Sequence, residues 1–111
     1  MGTGMTRGEI YRYSPPGEKP RPVLVLARAS AIGYLSSVIV AELTTTIRQH
    51  PTSIPVGPED GLDEVCAINL FALRSVRKEH LRGPAIRLDD GKMRSVERAL
   101  LYALGLDGYH L

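Results

Sequence analysis

Residues 21–28 read RPVLVLAR and carry the strongest indication of the fold class. Val23 to Leu26 form an uninterrupted apolar run that is too short for a helix of typical length, which indicates a strand buried on both faces. Pro20 and Pro22 flank Arg21, cannot donate a backbone hydrogen bond, and push the residues before them towards extended geometry. The sequence therefore predicts a central strand with Arg21 held stiffly at its entrance.

Extended segments precede and follow this central strand. Residues 7–13 (RGEIYRY) alternate, with Tyr11 and Tyr13 on one face, and end at the turn residues SPPG. Three later segments are also predicted as strands: residues 36–45, residues 52–56 at a sheet edge because of Pro55, and residues 65–76 as one long strand or two. We expect a sheet of about five or six strands.

The period of the apolar residues changes near the C-terminus. Asp89 or Asp90 can cap the start of a helix there, and Gly105 can end it. Between these signals, apolar side chains recur every three to four residues, at Met93, Val96, Leu100, Ala103 and Leu104. The sequence therefore predicts a mainly β fold, a small barrel or strongly curved sheet with a C-terminal helix packed against it.

Length and composition predict one domain spanning residues 1–111, in which Met1 to Gly4 receive no role. The single cysteine, Cys66, excludes an internal disulfide and a multi-thiolate zinc site. No apolar run is long enough to cross a bilayer and no signal peptide is visible, so we expect a cytoplasmic protein with no membrane partner. Because so short a chain buries only part of its surface by itself, a homodimer is expected.

Several catalytic classes lack support in the sequence. The acidic residues of 57–64 crowd a glycine-rich loop, which favours a solvated surface over a glycosidase carboxylate pair. His50, His80 and His110 are dispersed without metal-ligand spacing, and no glycine motif for nucleotide phosphates occurs. We therefore expect neither a metal ion nor a cofactor.

A local set of basic and hydroxyl side chains remains. The net charge is only +2, but residues 1–55 hold six Lys and Arg against three acids, whereas residues 56–111 hold eight against nine. The first half is therefore the candidate phosphate-facing side. If the second and third strands pair, the members of this set can converge: Lys19, Arg21, Arg28, Thr44, Thr45, Thr46, Arg48 and His50. Two plainer explanations stay open, since threonines also suit a strand end and His50 also suits an exposed loop.

The order of the motifs resembles that of the MazF/PemK family of toxin endoribonucleases over residues 5–105. The resemblance rests on RGEIYRY, KPRPVLVLAR at 19–28, SVIVAELTT at 37–45, the Gly61-Leu62 loop and CAINLFALRSVRKEHL at 66–81. The chain departs from the family at Cys66, where serine is common, and at Phe71 and Ala72, where an acidic residue and glutamine are common.

This resemblance implies an SH3-like β-barrel with helices, a homodimer, a cognate antitoxin, and metal-independent cleavage of single-stranded RNA at short motifs. It also implies that Arg21 and Thr44 are the catalytic pair. The remaining cations and hydroxyls of the set then become candidate RNA contacts: Lys19, Arg28, Thr45, Thr46 and Arg48. Because splayed bases stack on aromatic faces and the chain has no Trp and one Phe, Tyr34 is a further candidate.

RNA cleavage of this kind can use the neighbouring 2′-hydroxyl as nucleophile, leaving 2′,3′-cyclic phosphate and 5′-hydroxyl ends. Arg21 suits the stabilisation of the phosphorane, because its planar fork can bind two phosphate oxygens, but a guanidinium is a poor base. Two alternatives stay open: a CcdB-like toxin that binds DNA gyrase without nuclease activity, and a non-catalytic SH3-like binding module. Neither alternative needs Arg21 and Thr44 as a pair.

Overall fold

A computed structural model describes residues 4–108; Met1 to Thr3 and residues 109–111, which include His110, lie outside that part. The elements in chain order are β1 (Glu9–Tyr13), β2 (Arg21–Val25), α1 (Ala29–Ile32), β3 (Ser37–Thr44), β4 (Ser53–Val56), β5 (Cys66–Arg77), β6 (Leu81–Arg87) and α2 (Asp90–Ala103). Short 3-10 turns occupy Pro58–Asp60 and Lys78–His80. The predicted strands and the C-terminal helix are present, and β6 is a strand that the sequence pattern did not indicate.

The strands form one antiparallel sheet in the order β4-β5-β3-β2-β1-β6. The mainly β prediction is confirmed, as is the edge position of β4, which carries Pro55. Within residues 4–108, β4 and β6 are the two edges, so the sheet is not closed by hydrogen bonds.

The central strand β2 is buried on both faces, as its apolar run predicts. Val23, Leu24 and Val25 are each fully buried. Leu24 and Leu26 lie in a core beneath α2, here called the helix core, and Val23 and Val25 lie in a second core on the other face, the opposite core. Each fully buried side chain of this size contributes about 1.5–3 kcal/mol, so β2 joins two hydrophobic clusters that stabilise the sheet.

The long strand β5 pairs with β3 along its length but with one irregularity. Ala41 pairs with Leu73, whereas the next residue, Glu42, pairs with Asn69. Residues 70–72 therefore have no counterpart on β3, and such an insertion bends a strand and increases its twist. Residues 65–76 are predicted as one long strand or two, and the structure shows one strand with a bend.

The helix α2 begins and ends where its sequence signals predict. The Asp89 side chain accepts a hydrogen bond from the Lys92 N–H at 2.7 Å and caps the first turn. At the other end Gly105 adopts φ +72°, and Leu106 N–H donates to Leu101 C=O at 2.7 Å, which is a Schellman ending. Among residues 4–108, no helix has the length and apolar character needed to span a membrane.

A loop after β4 extends across to the far edge of the sheet. Gly61 there adopts φ +100°, and a side chain at this position would lie 3.2 Å from a methyl carbon of Ile86 on β6. Leu62 and Ile86 both pack against the helix core. The loop thus bridges the two edges of the curved sheet through side-chain contacts, which gives the molecule its barrel-like form and forms one wall of the groove described next.

Candidate active site

Pairing of β2 with β3 places Arg21 level with Thr44. The strands pair Val23 with Glu42 and Leu24 with Ala41, and two more steps of the same antiparallel register match Arg21 with Thr44. Both residues are partly exposed. The expected convergence of the second strand's entrance with the third strand's end is therefore present in the fold.

Arg21 and Thr44 open into a groove of about 720 Å³, here called the Arg21 groove. Thr45 also lines it, and one wall is the loop of residues 61–64 that bridges the sheet edges. The groove is formed by strand ends and loops on a rigid sheet, an arrangement that positions polar side chains while leaving room for a ligand.

The Thr44 hydroxyl is set to donate a hydrogen bond into this space. Its Oγ1 accepts a hydrogen bond from the Thr46 N–H at 3.1 Å. A hydroxyl can accept a hydrogen bond and still donate its own proton. Because Thr44 Oγ1 accepts from the backbone, its proton is available to an external acceptor. Thr46 thus holds the Thr44 side chain in place through the turn that ends β3.

Arg21 belongs to a cluster of two arginines and two glutamates. The Glu42 carboxylate lies 3.5 Å from Arg21 and 3.1 Å from Arg74, and the Glu18 carboxylate lies 3.5 Å from each of the same two arginines. Val40 pairs with Arg74 across β3 and β5, which puts Arg74 on the same face as Glu42. The sequence did not single out Arg74, because its nearness to Arg21 depends on the bend in β5.

Arg74 is also braced by an aromatic ring. Its guanidinium lies 5.0 Å from the ring centroid of Tyr13 and donates to the Tyr13 hydroxyl at 3.5 Å. Tyr13 is buried and pairs directly with Arg21 across β1 and β2. The hydrogen bond to Glu42 raises the pKa of Arg74 above its ordinary value, so the side chain carries a fixed positive charge.

Two further arginines line the Arg21 groove. Arg12 on β1 lies directly across from Arg82 on β6, and both are exposed. Like charges opposite one another in a sheet are destabilising, and a bound anion between them would remove that cost. The sequence does not indicate this pair, because the burial pattern of residues 81–87 has no strong strand period.

A second groove of about 760 Å³, here called the His50 groove, adjoins the first at Thr44 and also contains Thr46 and Arg48. His50 is exposed, and its ring lies 5.8 Å from that of Phe71 and 6.2 Å from that of Tyr102. Thr52, which is buried, hydrogen-bonds to His50 Nδ1 through its hydroxyl at 2.8 Å. His50 thus lies on a loop, but one held by specific contacts.

The remaining predicted residues do not reach the Arg21 groove. Lys19 is exposed on the loop before β2 and lines neither groove. Arg28 precedes α1 at the other end of β2, seven residues from Arg21 and on the order of 20 Å away. Tyr34 lies near that same end and is 80% exposed. The expectation that the whole set converges is therefore wrong for Arg28, because the antiparallel pairing places the start of β2, and not its end, beside the end of β3. Tyr34, predicted separately as a stacking residue, lies at the same far end as Arg28.

Two titratable side chains near the groove have shifted pKa values. Burial and a hydrogen bond to Glu9 raise the pKa of Tyr11 to about 12. Burial raises the pKa of the Cys66 thiol, which makes it a poor nucleophile. In the part of the chain from residue 4 to residue 108, the side chains that could ligate a metal do not form any group of three or more.

The sequence and the fold of this chain are similar to those of known toxin endoribonucleases. The family of PemK-like, MazF-like toxins of type II toxin–antitoxin systems matches residues 6–104. The chain is 35% identical over 99 residues to the probable endoribonuclease MazF5 of Mycobacterium tuberculosis, covering 88% of this chain and 91% of that protein. A mycobacterial endoribonuclease solved in complex with its cognate antitoxin superposes with a TM-score of 0.81 at 28% identity, covering 93% of this chain and 97% of the other. Another mycobacterial endoribonuclease gives a TM-score of 0.83 at 25% identity, covering 99% of each chain.

Proposed function

Because the chain belongs to the PemK-like, MazF-like family of toxins of type II toxin–antitoxin systems, we propose that it is an endoribonuclease that cleaves single-stranded RNA at short sequence motifs. The observation that carries the proposal is the alignment of Arg21 with Thr44 across β2 and β3, at the mouth of one groove. A fixed cation beside a hydroxyl donor is the arrangement that stabilises a phosphorane.

The reaction proceeds by attack of the 2′-oxygen on the adjacent phosphorus. The new O2′–P bond forms, the P–O5′ bond breaks, and the products carry a 2′,3′-cyclic phosphate and a 5′-hydroxyl. The 2′-hydroxyl loses its proton to an acceptor and the leaving 5′-oxygen gains one. Arg21 stabilises the charge that develops on the phosphorane oxygens, and Thr44 donates a hydrogen bond to one of them. RNA carries its own nucleophile, so this route needs neither a metal ion nor a cofactor.

RNA binding extends from the catalytic pair in two directions. Thr45 lines the Arg21 groove, Thr46 and Arg48 line the His50 groove, and Lys19 stands on the loop before β2. These residues contact nucleotides next to the scissile bond. Arg28 and Tyr34 lie at the far end of β2 and serve only an RNA long enough to reach them, Tyr34 by stacking and Arg28 by pairing with phosphate.

A homodimer and a cognate antitoxin complete the proposal. A structural relative is in complex with its antitoxin, and this chain exposes several large apolar side chains, among them Val65, Phe71 and Leu104. An acidic segment of the antitoxin that lays carboxylates on the arginines of the Arg21 groove would occlude the phosphate site directly.

The experiment that tests the nucleophile uses a single modified nucleotide. A 2′-deoxy residue immediately 5′ of the scissile bond, at a site first mapped by primer extension, is expected to block cleavage and leave binding nearly unchanged, because the backbone charge and base edges remain. EDTA is expected to have no effect. Normal cleavage of the modified substrate, or a linear 3′-phosphate from the first time point, would show that water is the nucleophile. A folded protein that cleaves no RNA would favour the CcdB-like or SH3-like alternative.

A competition experiment tests occlusion by the antitoxin. Increasing antitoxin is expected to displace an uncleavable RNA from the protein, with mutually exclusive binding. Simultaneous binding of both at full affinity would contradict occlusion and favour inhibition at a distance.

A further inference from the structure

We infer that Arg21 and Arg74 together form a two-arginine oxyanion site, with Arg74 as a second phosphate-binding residue and Glu42 as the carboxylate that positions both. This inference rests on the proposed RNA cleavage and assigns a role in it to residues that lie outside the Arg21–Thr44 pair. The ligand of this site is a phosphodiester, whose two non-bridging oxygens each accept hydrogen bonds from one guanidinium.

The carboxylate of Glu18 marks where such an oxygen would lie. A single oxygen, Oε1, is 3.5 Å from a terminal nitrogen of Arg21 and 3.5 Å from a terminal nitrogen of Arg74. An anionic group that contacts both guanidinium groups lies where a phosphate would lie with its non-bridging oxygens accepting from the two arginines. The geometry of the two arginines is therefore already suited to one shared anion.

The two glutamates of the cluster differ in how firmly they are held. Glu42 lies on β3, its side chain is 22% exposed, and it makes the shortest contact of the cluster, 3.1 Å to Arg74. Glu18 lies on the loop between β1 and β2, is 40% exposed, and makes only 3.5 Å contacts. An exposed carboxylate with long contacts is displaceable by a substrate phosphate, whereas the strand carboxylate stays and orients the cations.

Arg74 is oriented before any ligand arrives. Glu42 holds one end of its guanidinium, and the Tyr13 ring supports it from the side at 5.0 Å. A side chain held by two independent contacts loses less conformational entropy when it binds phosphate than a free arginine does. Arg21 contacts the same Glu42 carboxylate at 3.5 Å, and its backbone pairs with that of Tyr13.

The test for Arg74 compares it with another arginine on the same strand. Arg77 lies three residues along β5, is 59% exposed, and pairs with Glu79 on the surface. Arg74→Ala is expected to weaken binding of an uncleavable RNA roughly tenfold or more and to lower the salt slope of log K by about 0.7. Arg77→Ala removes the same charge but is expected to change both quantities little. Equal effects of the two substitutions, with wild-type protein cleaving RNA, would overturn the inference and leave the proposed function intact. A wild-type protein that neither binds nor cleaves RNA would overturn both.

The two glutamates provide a second test with opposite expected signs. Glu18→Gln is expected to tighten RNA binding a few-fold, because the competing internal anion is removed. Glu42→Gln is expected to lower kcat roughly tenfold without lowering the salt slope, since both cations remain but lose their orientation. Thermal unfolding of each variant controls for stability. Effects of the same sign and size would show that the glutamates act only through net charge, which would refute a positioning role for Glu42.

Discussion

The two ends of the β2–β3 pair carry similar residues but differ in their surroundings. One end has Arg21 beside Thr44, with Glu42 and Arg74 in contact and a groove of about 720 Å³ in front. The other end has an exposed arginine, Arg28, before the four-residue helix α1. Neither groove described above includes residues of that end.

This difference shows what turns an arginine at a strand end into a candidate catalytic group. Arg21 contacts the Glu42 carboxylate on the neighbouring strand, with the Thr44 hydroxyl and the Arg74 guanidinium nearby, so little reorganisation is needed when a phosphate arrives. Arg28 contributes charge without defined geometry. We therefore expect the first end to control the rate of cleavage and the second end to affect only the affinity for long RNA.

The largest expected effect comes from removing the cation of the first end. Arg21→Ala is expected to lower kcat/KM by about 10²–10³-fold, since the phosphorane loses a preorganised stabilising charge. Arg21→Lys is expected to be impaired as well, because a point charge does not reproduce the bidentate fork. Cleavage of a short RNA is the measurement, with circular dichroism to verify the fold. Arg28→Ala is the matched control and is expected to retain the wild-type rate; an equal loss in both would remove the distinction between the two ends.

The hydroxyl of the first end is expected to matter less than its cation. Thr44→Ala is expected to lower kcat roughly tenfold, the value of one hydrogen bond to a charged group. Thr44→Ser keeps the hydroxyl and is expected to restore most of the rate. Single-turnover cleavage separates this effect from product release. If serine fails to rescue, the methyl group and not the hydroxyl is the important part of Thr44.

At the second end, Tyr34→Ala is expected to act on binding alone. Loss of one stacked base is worth about 1 kcal/mol, or about fivefold in KM, for RNA long enough to reach this end. For an oligonucleotide that covers only the Arg21 groove, no change is expected. The measurement is KM and kcat for the two lengths, and a fall in kcat for the short substrate would contradict the separation of the two ends.

The last effect concerns the pH dependence of stability at the first end and is confined to pH values above about 10. Burial and Glu9 raise the pKa of Tyr11, which lines the Arg21 groove, from 10.0 to about 12. The folded state then keeps the phenol proton where the unfolded state has lost it, so this contribution to stability is present below pH 10 and declines as the pH rises from 10 to about 12. Tyr11→Phe is expected to flatten this part of the stability curve, as measured by urea unfolding. An unchanged slope would show that Tyr11 does not contribute.

Local signals predicted most of the fold. The apolar run of β2, the alternation of β1 and the caps of α2 each depend on a few adjacent residues, and all three are observed. The sequence did not predict β6, because most of its residues are exposed. Leu81 is buried and the next four residues are exposed, so the burial pattern has no strong period. Exposed edge strands are formed by pairing with a neighbour more than by their own apolar pattern.

The secondary structure of the core, the family resemblance and the candidate catalytic pair of Arg21 and Thr44 could all be read from the amino-acid sequence. The positions of Arg74 and Glu42 next to this pair, and of Arg28 and Tyr34 away from it, follow from the folded structure. The physical reason is that periodicity and capping act over a few residues, whereas the composition of a site depends on strand register. A single bulge, such as that in β5, changes which side chains meet across the sheet.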